Sequence, residues 1–586
     1  MSASAEFTPA ILIRRAVFLL ALLLLTFFYL FVDFQGLSTT SGMDQAQIAR
    51  EIVRGNKFST KFIRPLAVYH ANKSLEGTGQ EVTLSQFSDT FHSPLGPVVN
   101  SVGLRFFQGE GDFSFDRQAL QKTVFPPDLA IAGMSVVLFL SSVGIFYLLI
   151  GRIFDGKIAG VSVTLVILSP LFWEYTQSGL PQMLMLFLFS FALYFSFKAV
   201  EATQVDRSPF VWVGLAAVFF GLLALSHWLA VWIFVGYLIY AVICFKPRGT
   251  VALVTLALFL LVITPWLVRN TRFNGQFTGL SFYALYEGLG GDIGNVMRNL
   301  DPERDPLNAE GLQSKVAFGA VRQLDDLLPF LGSILVAPVF FLSLLHPFRR
   351  PEIASFRWCI LLMWIMALLG MSLFGVQEKI DSNQLHLLFA PIMTAYGLAF
   401  LSVLWNRLNF SSGPAFLANG HLIIVVLLAA IPMLLLVPRA MLRGGSPVKY
   451  NYPYIPAINA ALSEVVRENE VVMTDQPWAV AWYADRLALW VPKDNRGLVE
   501  MEEYGAEKGT PMAGVFFTPV SVTEPLNPDI IKGPYRNWTQ VFIQPYTRYF
   551  SEVPEDLRYK VPVFLGQEFF FLTDSQRELV GQDEQE

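Results

Sequence analysis

The apolar residues of this chain are gathered into blocks long enough to cross a bilayer, and no other feature restricts the fold as much. A hydrocarbon core of about 30 Å takes about 20 mostly apolar residues of helix to cross. Blocks of that kind recur near 16–33, 127–150, 158–173, 181–199, 210–226, 228–245, 250–267, 327–346, 356–374, 386–405 and 420–437. They predict a polytopic α-helical membrane protein with about eleven transmembrane helices, because a helix satisfies its own backbone polar groups without water. The first block follows Arg14 and Arg15 and has no small-residue cleavage site after it. It therefore reads as a span and not as a removable signal peptide.

Only 15% of the 586 residues are charged, mean hydropathy is +0.47 and the net charge is −5. Soluble domains carry about 25% charged residues, and a negative balance argues against a nucleic-acid partner. The two cysteines, Cys244 and Cys359, lie in apolar blocks, where a thiol is a small hydrophobe. No disulfide framework or zinc pattern is present, so no metal site is expected. Lysine and arginine favour the cytoplasmic ends of spans. Arg14 and Arg15, Arg152 and Lys157, Lys198 and Arg207, Lys246 and Arg248, Arg349 and Arg350, and Arg407 all fall on one side of the expected bundle. That side is read as cytoplasmic, with the N-terminus there and the C-terminus outside.

Two loops and a tail are then expected outside. Loop 34–126 joins the first two spans, loop 268–326 follows the seventh, and residues 440–586 are long enough for an extracytoplasmic α/β domain. The chain divides accordingly into a transmembrane domain, 1–439, and a soluble domain, 440–586. In the latter, Pro456–Glu468 reads as an amphipathic helix, and Glu470–Thr474, Ala513–Phe517, Gln540–Gln544 and Phe569–Leu572 read as strands.

Several polar residues stand where these loops meet the membrane. Met43–Gly55 has the pattern of a short helix with a C-terminal glycine. Within it Asp44 is a candidate general base towards an acceptor hydroxyl. Equally, Asp44 and Gln47 have the spacing of a capping box, which would make Asp44 an N-cap. Lys61 and Arg64 are cations suited to a phosphate headgroup or to ordinary contact with anionic lipid. His92 lies in Phe91-His92-Ser93-Pro94-Leu95. Arg269 and Arg272 fall on the outer side against the charge trend, which marks a functional group or a snorkelling one beside Trp266.

The order of these motifs resembles a known family. An Asp-led helix after the first span is followed by His92-Ser93-Pro94-Leu95, then Gly151-Arg152-Ile153-Phe154-Asp155-Gly156-Lys157 and Ser169-Pro170-Leu171-Phe172. Thr264-Pro265-Trp266-Leu267-Val268-Arg269-Asn270 and Phe389-Ala390-Pro391 complete the series. Over roughly residues 10–437 this is similar to the GT-C superfamily of membrane glycosyltransferases, in the branch holding protein O-mannosyltransferases and the lipid A aminoarabinose transferase. The resemblance implies transfer of a sugar from a polyprenyl-phosphate carrier to an acceptor on the outer face, with inversion, in the inner membrane of a bacterium. The carrier-linked sugar is the donor substrate, no separate cofactor is expected, and the acceptor is a protein, lipid or glycan. Asp44 falls on the family base, Arg269 on a group stabilising the leaving phosphate, and His92 where relatives carry a His or Lys; Lys61 and Arg64 are further headgroup candidates. Gln45 and Gln182 stand where many relatives carry acids. A scaffold of the same fold without catalysis is the alternative. A transporter is disfavoured, because the spans lack the internal charges of a substrate path.

Overall fold

The computed structural model describes residues 9–76, 82–108, 120, 123–286, 289, 296–300, 309–376, 379–407, 419–442, 451, 453–522, 535–538, 558–559, 561–566 and 569–574. Among these residues, six helical segments are long and apolar enough to span a membrane: Ala16–Asp33, Pro126–Ile153, Gln182–Gln204, Arg248–Asn274, Pro351–Phe374 and His386–Arg407. Phe210–Ser226, Ala230–Cys244 and the apolar part of Gly420–Leu442 are shorter.

Two expected spans look different in the structure. The third block is a pair of helices, Gly156–Leu168 and Pro170–Gln177, bent by 55°. The bend falls at Ser169, whose backbone is extended (φ −79, ψ 117) because the following proline disfavours the helical region. The block 327–346 is not one continuous helix, contrary to expectation. It forms two short pieces, Leu327–Phe330 and Val339–Ser343. Gly332 and Ser333 between them have positive φ (77 and 57), which ends a right-handed helix, and the Ser169 hydroxyl donates to the Gly332 carbonyl at 2.7 Å. Its apolar side chains still pack: Phe340 lies 5.8 Å from Tyr396 in the His386–Arg407 helix.

Among the described residues there are eight strands: β1 (Ser59–Thr60), β2 (Phe62–Ile63), β3 (Phe87–Ser88), β4 (Val471–Thr474), β5 (Leu487–Trp490), β6 (Met512–Phe517), β7 (Val561–Gly566) and β8 (Phe569–Thr573). β1 and β3 pair in the first loop. The other six form one sheet in the order β2-β5-β4-β6-β8-β7, in which β2, β5, β4 and β6 run parallel. The expected strand 540–544 lies outside the described residues. The expected helix 456–468 is two short pieces, Pro456–Ala460 and Leu462–Val465.

The parallel strands are buried on both faces and so read as continuous apolar runs. Val472, Ala488 and Phe516 pack with Met43, Ala46 and Ala49 of the Thr40–Val53 helix. Val471, Met473, Leu487, Leu489 and Val515 face the other way, onto Leu66, Ala67 and Val68 of the Pro65–Leu75 helix. The sheet of the C-terminal region is thus covered on both faces, and extended at one edge, by the first loop.

Charged clamps fix the two parts together. Arg50 is fully buried and donates to the carbonyls of Ala481 (2.5 Å) and Trp482 (2.7 Å). Asp485, in the left-handed region at φ 56, is paired with Arg50 (2.8 Å), Arg54 (2.6 Å) and Lys61 (2.6 Å). Burial would raise the Asp485 carboxyl, but Arg50, Arg54 and Lys61 outweigh it and hold it well below the usual carboxylate range. Asp128, in the first turn of the Pro126–Ile153 helix, accepts from Trp482 Nε1 (2.7 Å) and the Tyr483 hydroxyl (2.9 Å).

Candidate active site

The Thr40–Val53 helix begins one turn before Asp44. Thr39 has an extended backbone (φ −125, ψ 146), and its Oγ1 accepts from Gly42 N at 3.1 Å. Thr39 is therefore the N-cap, and the capping-box reading of Asp44 and Gln47 does not hold. The same hydroxyl donates to the Ser178 carbonyl (2.8 Å). Gly42 sits so close that a Cβ there would lie 2.2 Å from the Ser178 oxygen. This contact docks the helix onto the turn leading into the Gln182–Gln204 helix.

Freed from capping, Asp44 points into a buried polar cluster and is only 2% exposed. Its Oδ2 receives Arg64 Nη2 and, at 2.7 Å, His92 Nε2. Its Oδ1 receives Gln47 Nε2 at 3.1 Å. A carboxylate has about four acceptor positions, so one on Oδ1 is left among the described residues. Burial would raise the Asp44 carboxyl, but the Arg64 and His92 charges and hydrogen bonds prevail and hold it well below the usual carboxylate range. Asp44 is ionised at neutral pH, and His92 Nε2 is the donor to it.

Each partner is itself held. Arg64 lies between the rings of Phe62 (3.9 Å) and Phe91 (4.2 Å) and reaches Asp89 at 3.6 Å. Asp89 Oδ2 accepts from the backbone of Phe91 (3.2 Å) and His92 (2.8 Å), which sets the turn carrying the imidazole. Gln47 is fixed by Thr60 Oγ1 (2.6 Å) and by the Lys61 amide (3.0 Å). The Asp44 geometry therefore rests on groups with little rotamer freedom.

Asp44, Arg64 and His92 line a cavity of about 370 Å³. Gln45 also faces it, as do Ser226, His227 and Trp228 at the junction of two apolar helices, and Phe374 and the Asp381-Ser382-Asn383 loop beyond it. Trp478 and Trp490 close it from the sheet. Arg64, Trp478 and Trp490 follow or end β2, β4 and β5. The cavity thus opens at the carboxyl ends of parallel strands, where ligands of α/β sheets characteristically bind.

Arg64 and His92 join Asp44 here, whereas Lys61 and Arg269 do not line the cavity. Lys61 is spent on Asp485. Arg269 donates to the carbonyls of Asp89 (2.7 Å) and Phe58 (3.1 Å) and lies 4.5 Å from the Trp266 ring, so it braces the two segments that carry Arg64 and His92. Sequence reasoning passed over Asp89, His227, Asp381, Trp478 and Trp490. Asp89 is local to the turn that carries His92, whereas only the packing of distant segments brings the other four to the Asp44 cavity.

Gln182 explains one departure from the family pattern. It is fully buried, and its Nε2 donates to the carbonyls of Asp381 (3.1 Å) and Ser382 (2.7 Å), holding their loop on the cavity. A carboxylate cannot donate, so an acid would face two carbonyl oxygens. Gln182→Glu should cost about 1–3 kcal/mol of stability, read as a lowered midpoint in thermal unfolding. Gln182→Met, which removes the donor without adding charge, should cost less.

Comparison with known proteins agrees with this architecture. Residues 125–268 match the family described as Dolichyl-phosphate-mannose-protein mannosyltransferase. The structure of ArnT from Cupriavidus metallidurans bound to undecaprenyl phosphate aligns over 96% of this chain and 98% of its own, with TM-score 0.52 and 12% identity. AglB from Archaeoglobus fulgidus, in complex with an inhibitory peptide and a dolichol-phosphate, aligns over 83% of this chain and 70% of its own, with TM-score 0.47 and 13% identity. No curated protein sequence matches the chain. The apolar helices, the motif order and the superposition on ArnT agree: this is a multi-pass membrane protein with the GT-C fold, and its residues 125–268 match the mannosyltransferase family model.

Proposed function

We propose that this protein transfers a sugar from a polyprenyl-phosphate carrier to an acceptor hydroxyl on the extracytoplasmic face. One observation carries the reading: a buried, ionised Asp44 with an acceptor position left on Oδ1, in a cavity at the ends of apolar helices. An acceptor hydroxyl hydrogen-bonded to Oδ1 would lose its proton to Asp44 as its oxygen bonds to the anomeric carbon. The carrier phosphate leaves with the electrons of the broken C–O bond. Arg64 and His92 are the cavity-lining groups suited to the charge that builds on it, while Arg269 supports them from behind. The charge that builds on that phosphate competes for Arg64 and His92 where they stand, so their hold on Asp44 weakens and its basicity rises when the proton must be taken. The concentration of Lys and Arg at the opposite helix ends supports an extracytoplasmic site, and a bacterial inner membrane is the setting the family resemblance suggests.

The test uses the full chain in lipid nanodiscs. Radiolabelled undecaprenyl phosphate should bind saturably, and label should pass from a polyprenyl-phosphate sugar into an acceptor fraction of the source membrane. Absence of saturable carrier binding by folded protein would end this reading. Binding without transfer would favour the scaffold.

A further inference from the structure

We infer that Trp478 and Trp490, with His227, form a subsite for a pyranose ring beside Asp44; the inference rests on the transferase reading and specifies where its sugar sits. Buried hydrogen-bonding groups are nearly always paired. Among the described residues, Trp173, Trp364, Trp482, Trp490 and Trp538 all donate their indole N–H, to Ile167, His386, Asp128, Tyr535 and Pro492 respectively. Trp478 does not: its Nε1 is buried with no partner. His227 is half-buried, and its Nδ1 is likewise buried and unpartnered. Both residues line the Asp44 cavity. One comes from the short helix Pro477–Ala479 that follows β4 and the other from the junction of two apolar helices, so a single ligand between them could satisfy both.

The surrounding surface indicates what that ligand is. Trp478 stands edge-to-face with Trp490 (6.1 Å, 84°) and with Phe62 (6.2 Å, 64°). Phe62 also meets Trp490 (5.7 Å, 70°). The three rings brace one another in fixed orientations. The Phe62 face carries the Arg64 guanidinium, while Trp478 and Trp490 supply apolar ring surface to the cavity lining. A pyranose offers a flat patch of C–H bonds to such a surface and hydroxyls at its edge. The Trp478 N–H can donate to one hydroxyl oxygen. The His227 imidazole, kept below its ordinary pKa by burial and by His92, is neutral and can exchange a hydrogen bond with another. The cavity, at about 370 Å³, is at the small end for ligand sites and suits a ring with its reacting groups better than a polymer.

Saturation-transfer NMR on the full chain in nanodiscs tests this with the methyl pyranosides of glucose, mannose, galactose, N-acetylglucosamine and arabinose. At least one should bind. Trp478→Phe, which keeps a ring and removes the N–H, should weaken it about 3- to 10-fold. Trp490→Leu should weaken it about tenfold. Both variants should bind undecaprenyl phosphate like the wild type, which shows that they are folded. Displacement of the pyranoside by a polyprenyl-phosphate sugar assigns the subsite to the donor; retention assigns it to a saccharide acceptor. Unchanged pyranoside affinity in both variants, or no pyranoside binding by protein that still binds undecaprenyl phosphate, overturns the subsite and leaves the transferase reading standing. Pyranoside binding that depends on Trp478, without carrier binding, supports the subsite while removing the transferase reading.

Discussion

Asp44→Asn should lower the transfer rate by about 10²- to 10⁴-fold, the usual contribution of a positioned general base, while the protein still inserts and folds. The asparagine oxygen can keep the hydrogen bonds from Arg64 and His92. Its amide, however, cannot take a proton and would meet the Gln47 amide as donor against donor. Gln47 is not free to turn over, because its oxygen already accepts from the Lys61 backbone. A stability loss of about 1–3 kcal/mol is therefore expected as well. Rate and thermal midpoint measured on the same preparation separate the two effects. A folded variant with wild-type rate would remove Asp44 from the chemistry.

Arg64→Met should have the largest effect on stability. The change leaves Asp44 and Asp89 buried with one cation fewer, and removing one partner of a buried pair costs about 3–5 kcal/mol. It also changes the pH dependence in a defined direction. The Asp44 carboxyl is depressed in the folded protein, so its stabilisation is complete above the unfolded value of about 4 and is lost as pH falls through the folded value. Without Arg64 the folded value rises, and both acid unfolding and the acid limb of activity should move to higher pH. Arg64→Lys should lie between, because a point charge cannot reach Asp44 and Asp89 together while stacking on two rings. Thermal unfolding of the three proteins across acid pH checks the order.

The helical part was legible because the apolar signal of a span is spread over many residues and adds up. Block 327–346 shows the limit: hydropathy does not register that Gly332 and Ser333 adopt left-handed backbone. The candidate site was legible in part. Asp44, Arg64 and His92 stand close enough in one loop for their types to suggest a common task. Arg269 was noticed for its charge, yet its guanidinium is taken up by two carbonyls, which only the packed structure reveals. β5 is four residues long and β2 only two, too short for any period to declare. Trp490 ends β5, Trp478 follows β4, and no local pattern marks either as part of a site.

The parallel pairing of Phe62–Ile63 with Ala488–Leu489 also bears on biogenesis. A ribosome delivers β2 early and its partner near the end of synthesis. The cavity therefore lacks its tryptophan wall until most of the spans have been inserted and the last segment has folded back. A nascent or truncated chain ending before the sheet would hold Asp44 and Arg64 without their enclosure, so completion of the polypeptide itself controls when the site is assembled.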